Sequence, residues 1–232
     1  MISPRDLGAA AADRVYQWSS QLQHLRRRNP GERYRVGQLA PVLLIPGVYE
    51  TWQFLRPIAD RLNARGHPIW VVKQLGYNRL TIVASALLAA QFLQDHDLKS
   101  VIIVAHSKGG LIAKRMMTAD DGGLRIDRLI AINTPFGGST LARWAPTGTL
   151  RAFSPLDQTL VTLAANIDVN SRITSIYSRL DPLIPAGSAL EGATNIQLPL
   201  VGHFRPLASA LLFAAVENEV EKVANEPTEK PA

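Results

Sequence analysis

The sequence predicts an α/β protein with a mostly parallel sheet of about six strands and helices on both faces. Two observations favour this class: short apolar runs alternate with amphipathic segments, and the runs are apolar on both sides. Strands that alternate with helices form right-handed βαβ units, whose parallel strands are buried on both faces. The 232 residues, 47% apolar and 19% charged, suit one globular domain with a substantial core.

Six short apolar runs are predicted as strands, and the amphipathic segments between them as helices. The predicted strands are 42–45, 69–72, 101–105, 129–132, 173–177 and 195–198. The predicted helices are 52–65, 80–95, 108–118, 156–165 and 204–223. Proline and glycine at 46–47 and glycine at 66 mark the ends of the first strand and the first of these helices.

An N-terminal part, residues 1–38, is predicted as an amphipathic helix over 4–28 followed by a linker. Its apolar residues recur at spacings of three and four: Leu7, Ala11, Val15, Trp18, Leu22 and Leu25. Three alternatives stay open for this apolar stripe: docking onto the main body, peripheral contact with a membrane surface, and packing on a second subunit. The oligomeric state stays open as well.

The main domain is predicted to span residues 39–224, and residues 225–232 form a polar tail. Within the domain, residues 137–172 form a long excursion between two predicted strands. Long connections in compact domains are often lids or binding loops. A lid and a purely structural excursion are both open interpretations of this segment.

Composition excludes several function classes. The absence of cysteine excludes disulfides and thiolate metal sites. The net charge of +6 is spread along the chain with no recognisable nucleic-acid module, so we expect no nucleic-acid binding. The N-terminus lacks the apolar segment of a secretory signal, and no window approaches 18 uninterrupted apolar residues. We therefore expect a cytoplasmic location.

Ser107 follows the predicted strand 101–105 directly and precedes a predicted helix. Ala105 and Gly109 flank it at minus and plus two, where a tight strand-to-helix turn requires small residues. This is the pattern of a nucleophile elbow, G-x-S-x-G, with alanine at its first position. His106, beside the serine, is predicted to point elsewhere and to pack in the core or in a pocket wall.

His203 is the predicted base because it is the only one of five histidines that follows Ser107 in the chain. In this chain order an acid lies between serine and histidine. Asp181 is the predicted acid, since it follows the fifth predicted strand and can face the same sheet edge. Two other acidic candidates, Asp157 and Asp168, fall inside the excursion 137–172 and lack a strand that would position them. Glu191 also lies between Ser107 and His203.

The main-chain N–H groups of Val48 and Lys108 are the predicted oxyanion donors. Such donors come from the residue after the nucleophile and from the loop after the first strand. The Lys108 ammonium is predicted either to favour an anionic group in the pocket or to point to solvent. Three aromatic residues are candidates for an acyl pocket, with core packing as the alternative for each: Phe136, Trp144 and Phe153.

These motifs together resemble the α/β-hydrolase superfamily, and within it the small bacterial lipases and esterases. The matching segments are LLIPGV at 43–48, AHSKGG at 105–110, INTPFGGS at 132–139, IYSRLDPLIP at 176–185 and VGHF at 201–204. The resemblance covers residues 40–222 and implies a minimal version of that fold. It departs from the family in having proline at 46, lysine at 108 and phenylalanine at 136.

The resemblance implies hydrolysis of carboxylic esters by a triad of Ser107, His203 and Asp181, without metal or cofactor. The expected partner is a small-molecule ester or lipid substrate. Acyl transfer and thioester hydrolysis use the same triad and stay open as alternatives. A binding protein that keeps the fold without turnover is the alternative from another class.

Overall fold

The computed structural model of this chain describes residue 13, residues 31–120 and residues 125–225. The predicted N-terminal helix therefore lies outside the described residues, except for Asp13, and so does the predicted tail beyond residue 225. Among the described residues, no helix is long and apolar enough to cross a membrane.

One six-stranded parallel sheet forms the centre of the described structure, and it confirms the predicted fold class. The strands are β1 (Val42–Ile45), β2 (Ile69–Val71), β3 (Val101–His106), β4 (Ile126–Ile132), β5 (Ile173–Leu180) and β6 (Thr194–Val201). Their order across the sheet is β2-β1-β3-β4-β5-β6. The chain reverses its direction of winding between β1 and β3, and in open α/β sheets such a switch point marks the ligand crevice.

Helices cover both faces of the sheet. They are α1 (Arg56–Ala64), α2 (Ile82–Asp95), α3 (Lys108–Met117), α4 (Gly148–Arg151), α5 (Gln158–Ala165) and α6 (Ala210–Asn225). Short 3-10 turns add Gly31–Tyr34, Trp52–Leu55, Lys73–Leu75, Thr140–Trp144, Asn170–Arg172 and Arg205–Ala208. Helices α2 and α3 pack on one face of the sheet, and α1 and α6 pack on the other.

The strands bury both of their faces because successive side chains point to opposite sides. Leu43 and Ile45 of β1 join the core under α2 and α3, whereas Val42 and Leu44 join the core under α1 and α6. All four are fully buried. This arrangement explains why the strands appear in the sequence as continuous apolar runs rather than as alternating ones.

The excursion between β4 and β5 contains α4, α5 and two of the 3-10 turns. Asp157 caps α5, with its side chain accepting a hydrogen bond from the N–H of Thr159 at 2.9 Å. Leu160 and Leu163 of α5 are buried in the core beside α3. The excursion is therefore anchored on the main body through this helix.

Candidate active site

Ser107 lies between the last residue of β3 and the first residue of α3, with φ 52° and ψ −121°. Positive φ is uncommon for any residue other than glycine and marks a backbone that its surroundings hold in place. A Cβ on Gly109 would clash with the carbonyl oxygen of Ile45 and would come within 2.9 Å of that of Pro46. Only glycine at 109 therefore allows α3 to start this close to β1.

His203 and Asp181 form a buried hydrogen-bonded pair. Nδ1 of His203 lies 2.6 Å from Oδ2 of Asp181, and both residues are less than a tenth exposed. The other carboxylate oxygen of Asp181 accepts hydrogen bonds from the N–H groups of Leu183 at 2.8 Å and Ile184 at 3.3 Å. Both oxygens of this carboxylate therefore have hydrogen-bond partners. Asp181 binds only Nδ1 of His203, so the other ring nitrogen, Nε2, is not bound by this carboxylate.

The pKa values of this pair shift in opposite directions. Burial opposes ionisation of Asp181, but the charge and hydrogen bond of His203 outweigh it and keep the pKa of Asp181 below its ordinary value. Burial likewise disfavours the charged form of His203, but Asp181, followed by Glu50 and Asp13, outweighs burial and raises the pKa of His203. The site therefore stabilises an imidazolium beside an ionised carboxylate.

Ser107 and His203 line the same cavity of about 250 Å³. The walls are mostly apolar, and the excursion between β4 and β5 supplies much of them through Leu141, Leu150 and Phe153. Of the three aromatic candidates for this pocket, Phe153 lines it. Phe136 is instead buried in the core, and Trp144 is 77% exposed outside the lining residues.

The loop after β1 lines this cavity with Val48, Tyr49 and Glu50, and Glu50 also binds the main chain of this loop. Its carboxylate accepts a hydrogen bond from the N–H of Gly47 at 2.9 Å. The N–H of Lys108 lies in the first turn of α3, where main-chain N–H groups have no partner within the helix. Both predicted oxyanion donors thus belong to segments that adjoin Ser107.

The Lys108 side chain contradicts both alternatives that the sequence left open for it. Lys108 is 2% exposed, and its ammonium donates hydrogen bonds to the carbonyl oxygens of Asn78, at 2.9 Å, and Leu80. Burial lowers the pKa of Lys108 to about 8. The ammonium therefore fastens the loop before α2 to the start of α3, instead of meeting a ligand or solvent.

Four residues that hold His203 in place were not assigned this role from the sequence. His106 and Asn133 bind its carbonyl oxygen, at 3.1 and 3.0 Å, and His106 is in turn bound to Glu50. Asp13 accepts hydrogen bonds from the N–H of His203 at 3.0 Å and from those of the next two residues. The sequence did offer a clue to Asn133, because a polar residue directly after strand β4 is expected to lie at the same sheet edge as the site.

Comparison with known proteins places these features in a wider context. A family model described as PGAP1-like alpha/beta domain matches residues 71–144. No curated protein matches the chain. The lipase BlEst2 of Bacillus licheniformis has a similar structure, with a TM-score of 0.62 and 14% identity over 78% of this chain and 92% of its own.

An esterase from Thermogutta terrifontis is also similar, with a TM-score of 0.56 and 15% identity over 82% of this chain and 92% of its own. An extracellular alpha/beta-hydrolase from a Paenibacillus species covers 81% of this chain and 100% of its own, at 17% identity and a TM-score of 0.55. This chain has the α/β-hydrolase fold. In that fold the loops at the carboxyl ends of the strands carry the reactive groups, and Ser107, Asp181 and His203 all follow such strand ends here.

The described part of this α/β-hydrolase fold, Asp13 with residues 31–120 and 125–225, contains no cluster of three or more His, Asp or Glu side chains arranged to hold a metal ion. The polar residues that line the cavity are Tyr49, Glu50, Ser107, Ser139 and His203. They include a hydroxyl and an imidazole, and the main-chain N–H groups of Val48 and Lys108 belong to adjoining segments. This set of groups can perform nucleophilic attack, proton transfer and stabilisation of an oxyanion.

Proposed function

We propose that this chain is a serine hydrolase that cleaves carboxylic esters through an acyl-enzyme. The observation that carries the proposal is the buried Asp181–His203 pair, which lies beside the cavity that Ser107 and His203 both line. A buried carboxylate at Nδ1 fixes the imidazole tautomer in which Nε2 accepts a proton. Structural neighbours described as lipases and esterases favour the same reaction class.

In the proposed mechanism the Ser107 oxygen attacks the ester carbonyl carbon while Nε2 of His203 takes the hydroxyl proton. The carbonyl oxygen becomes an oxyanion, which the N–H groups of Val48 and Lys108 stabilise. His203 then gives its proton to the leaving alcohol as the C–O bond breaks, and the acyl group stays on Ser107. Water, activated by His203, releases the carboxylic acid and restores the serine.

Asp181 remains ionised throughout the proposed cycle. Its charge stabilises the imidazolium that forms twice, once in acylation and once in deacylation. The raised pKa of His203 and the lowered pKa of Asp181 support this division of roles.

The cavity supports a preference for small esters with short apolar acyl groups. Its volume of about 250 Å³ lies just below the roughly 300–1,000 Å³ that is usual for sites that enclose drug-sized ligands. Leu141, Leu150 and Phe153 supply an apolar surface but no charged partner for an anionic substrate. We therefore propose that acetyl and butyryl esters react faster than dodecanoyl or palmitoyl esters.

The test compares p-nitrophenyl acetate, butyrate and dodecanoate with the wild type, Ser107→Ala and Ser154→Ala. Ser154 belongs to the excursion and does not line the cavity, so Ser154→Ala is the matched control. We expect Ser107→Ala to lose hydrolysis and labelling by a fluorophosphonate probe, while Ser154→Ala keeps both. Hydrolysis that survives in Ser107→Ala would refute the proposal. Adding a competing alcohol as acceptor shows whether the acyl group is passed to water or transferred.

A further inference from the structure

Asp13 is a buried acid of the N-terminal part, and no step of the proposed reaction uses it. It is 3% exposed, and its carboxylate accepts hydrogen bonds from three successive main-chain N–H groups. Oδ2 accepts from His203 at 3.0 Å, and Oδ1 accepts from Phe204 at 2.8 Å and from Arg205 at 2.7 Å. The contact therefore joins the loop of the proposed base to a residue 190 positions earlier in the chain.

Asp13 takes the place of a cap for the 3-10 turn that follows His203. This turn begins at Arg205, and the first N–H groups of a helical turn have no partner within it. A serine, threonine, aspartate or asparagine directly before a turn can accept from them, but that position holds Phe204, whose side chain has no acceptor. His203 and Phe204 are buried, so their N–H groups would be costly to leave without an acceptor.

Gly202 provides an observation that is independent of these hydrogen bonds. Its φ is +119°, in the region that favours glycine. A Cβ at this position would come within 2.6 Å of Oδ1 and 3.0 Å of Cγ of Asp13. Any other residue at 202 would therefore push the carboxylate away from the N–H groups that it binds. The glycine directly before His203 leaves the space that Asp13 occupies.

His203 is held through its main chain on two sides. On one side its carbonyl oxygen accepts from Nδ2 of Asn133 at 3.0 Å and lies 3.1 Å from Nε2 of His106. On the other side its N–H binds Asp13. The ring projects from this main chain, so both contacts determine where Nε2 lies relative to the Ser107 oxygen. The contact on the N–H side comes from the N-terminal part of the chain.

We propose that Asp13 is a positioning residue for His203, and that the N-terminal part completes the proposed active site within the same chain. Asp13 does not line the cavity, so it acts through the His203 loop and not on the substrate. Of the three placements that the sequence left open for the N-terminal part, this proposal selects docking onto the main body. The positioning role rests on the proposed function, whereas the contact between Asp13 and the loop does not.

Asp13→Asn tests the positioning role because it keeps the shape of the side chain and removes one bond. The amide oxygen keeps the place of Oδ1, which faces two donors, so the NH2 group faces the N–H of His203 and cannot accept from it. We expect kcat per active site to fall about 10-fold to 100-fold, since a small misplacement of a reacting group has effects of this size. KM should change less than about threefold, because substrate binding does not involve Asp13.

The active sites are counted by complete labelling with a fluorophosphonate probe, so that a loss of folded protein does not lower the measured kcat. Asp168→Asn is the matched control, since it removes the same type of side chain at an exposed position away from the cavity. We expect this control to keep kcat within about twofold of the wild type. A kcat per active site for Asp13→Asn that also stayed within twofold would overturn the positioning role.

Hydrogen exchange of the full chain tests the contact without an assay of activity. An N–H group that is bonded to a buried acceptor exchanges slowly, because the contact must open first. We expect Asp13→Asn to speed exchange of the His203 N–H about tenfold or more. The N–H of Ser107, bonded to the carbonyl of Ile132, should keep its exchange rate and is the internal control. Exchange of the His203 N–H in the wild type at the rate of an unfolded chain would overturn the contact.

A cycle of variants tests whether the Asp13 carboxylate occupies the space beside Gly202. Gly202→Ala carries the strain of a positive φ in any background, but its Cβ meets the carboxylate only where Asp13 is present. We therefore expect Gly202→Ala to lower Tm by less in Asp13→Ala than in the wild type. An equal loss of Tm in both backgrounds would overturn the proposed placement of Asp13.

Co-expression of Asp13→Ala with Ser107→Ala tests whether the contact lies within one chain. If Asp13 bound the loop of a second subunit, mixed dimers would contain one site with both Asp13 and Ser107. Only the Asp13→Ala chain is labelled at Ser107, and we expect its kcat per labelled serine to equal that of Asp13→Ala alone. A higher value in the mixture would overturn the placement within the same chain.

The outcomes separate the two proposals. If Ser107→Ala kept its activity, the proposed hydrolase function would fail, while hydrogen exchange and melting would still decide the contact of Asp13. If Ser107→Ala lost its activity and Asp13→Asn kept its kcat, the proposed function would stand and this inference would fail.

Discussion

Exchanging Asp181 for asparagine replaces one carboxylate oxygen of the proposed site by an NH2 group and keeps the shape of the side chain. The Oδ1 atom of Asp181 accepts hydrogen bonds from the N–H groups of Leu183 and Ile184. In Asp181→Asn the amide oxygen keeps that place, because an NH2 group there would face two donors. The NH2 group therefore takes the place of Oδ2, 2.6 Å from Nδ1 of His203.

The size of the effect follows from the tautomer that this orientation imposes. An NH2 group donates, so Nδ1 must accept and the ring proton moves to Nε2. A protonated Nε2 cannot take the hydroxyl proton of Ser107. We expect kcat to fall about 10⁴-fold, the effect of the same exchange in a serine protease, which corresponds to about 5.4 kcal/mol of barrier. KM should change little, because Asp181 does not line the cavity.

The assay is initial-rate hydrolysis of p-nitrophenyl butyrate, with the rate of fluorophosphonate labelling as a second readout. Asp157→Asn is the matched control: Asp157 was another acidic candidate, and asparagine caps a helix as well as aspartate does. We expect this control to stay within about twofold of the wild type. A kcat for Asp181→Asn within tenfold of the wild type, in protein with an unchanged Tm, would refute the tautomer argument.

Three further outcomes are expected. The proposed catalysis needs neutral His203, and the pKa of His203 is raised. We therefore expect kcat/KM to fall as the pH is lowered, with a midpoint above pH 6.5 in a pH–rate profile. A midpoint below pH 6.5 would contradict this expectation. Gly109→Ala should lower Tm by at least about 5 °C because its Cβ meets main-chain atoms, whereas Gly148→Ala, with open space around it, should change Tm little in the same thermal scan. Lys108→Met keeps the buried stem but leaves two carbonyl groups without their donor, and it should lower Tm by about 5–10 °C; an unchanged Tm would show that these bonds contribute nothing.

The fold was predictable because its signals are local. A buried parallel strand needs an unbroken apolar run, and β1 begins and ends where its run does, at Val42–Ile45. Helix α2 begins at Ile82 rather than at the predicted residue 80, because Thr81 caps it by accepting from the N–H of Ala84 at 3.1 Å. Capping is readable in the sequence, so this boundary could have been placed correctly.

The last strand was predicted too short for a physical reason. Strand β6 runs from Thr194 to Val201 at the edge of the sheet, where many of its residues are exposed and polar. It pairs with β5 alone, so it needs no continuous apolar run, and an edge position tolerates Pro199. Hydrophobicity alone identified only its central part, 195–198.

The candidate site also has one part that the sequence predicts and another part that it does not. Ser107, Asp181 and His203 were selected from their order in the chain and from their positions after predicted strands. Both criteria predict a shared location, because the carboxyl ends of parallel strands meet at one edge of the sheet. The structure brings Asp181 to His203 and puts Ser107 on the same cavity. Their catalytic roles stay predictions until the variants are measured.

The supporting residues follow no comparable rule. Asp13 reaches the main chain of His203 across 190 positions, and nothing near Asp13 in the sequence distinguishes it from a solvated helix residue. Glu50 follows a turn, where an acidic residue is ordinary. What distinguishes both is burial, since a buried carboxylate must be surrounded by donors. The N–H groups that Asp13 binds belong to residues 203–205, which include the proposed base. The N–H group that Glu50 binds belongs to Gly47, next to the proposed oxyanion donor Val48. We infer that the acids that matter most for holding such a site are found by their burial in the structure, whereas the reacting groups are found by their order in the sequence.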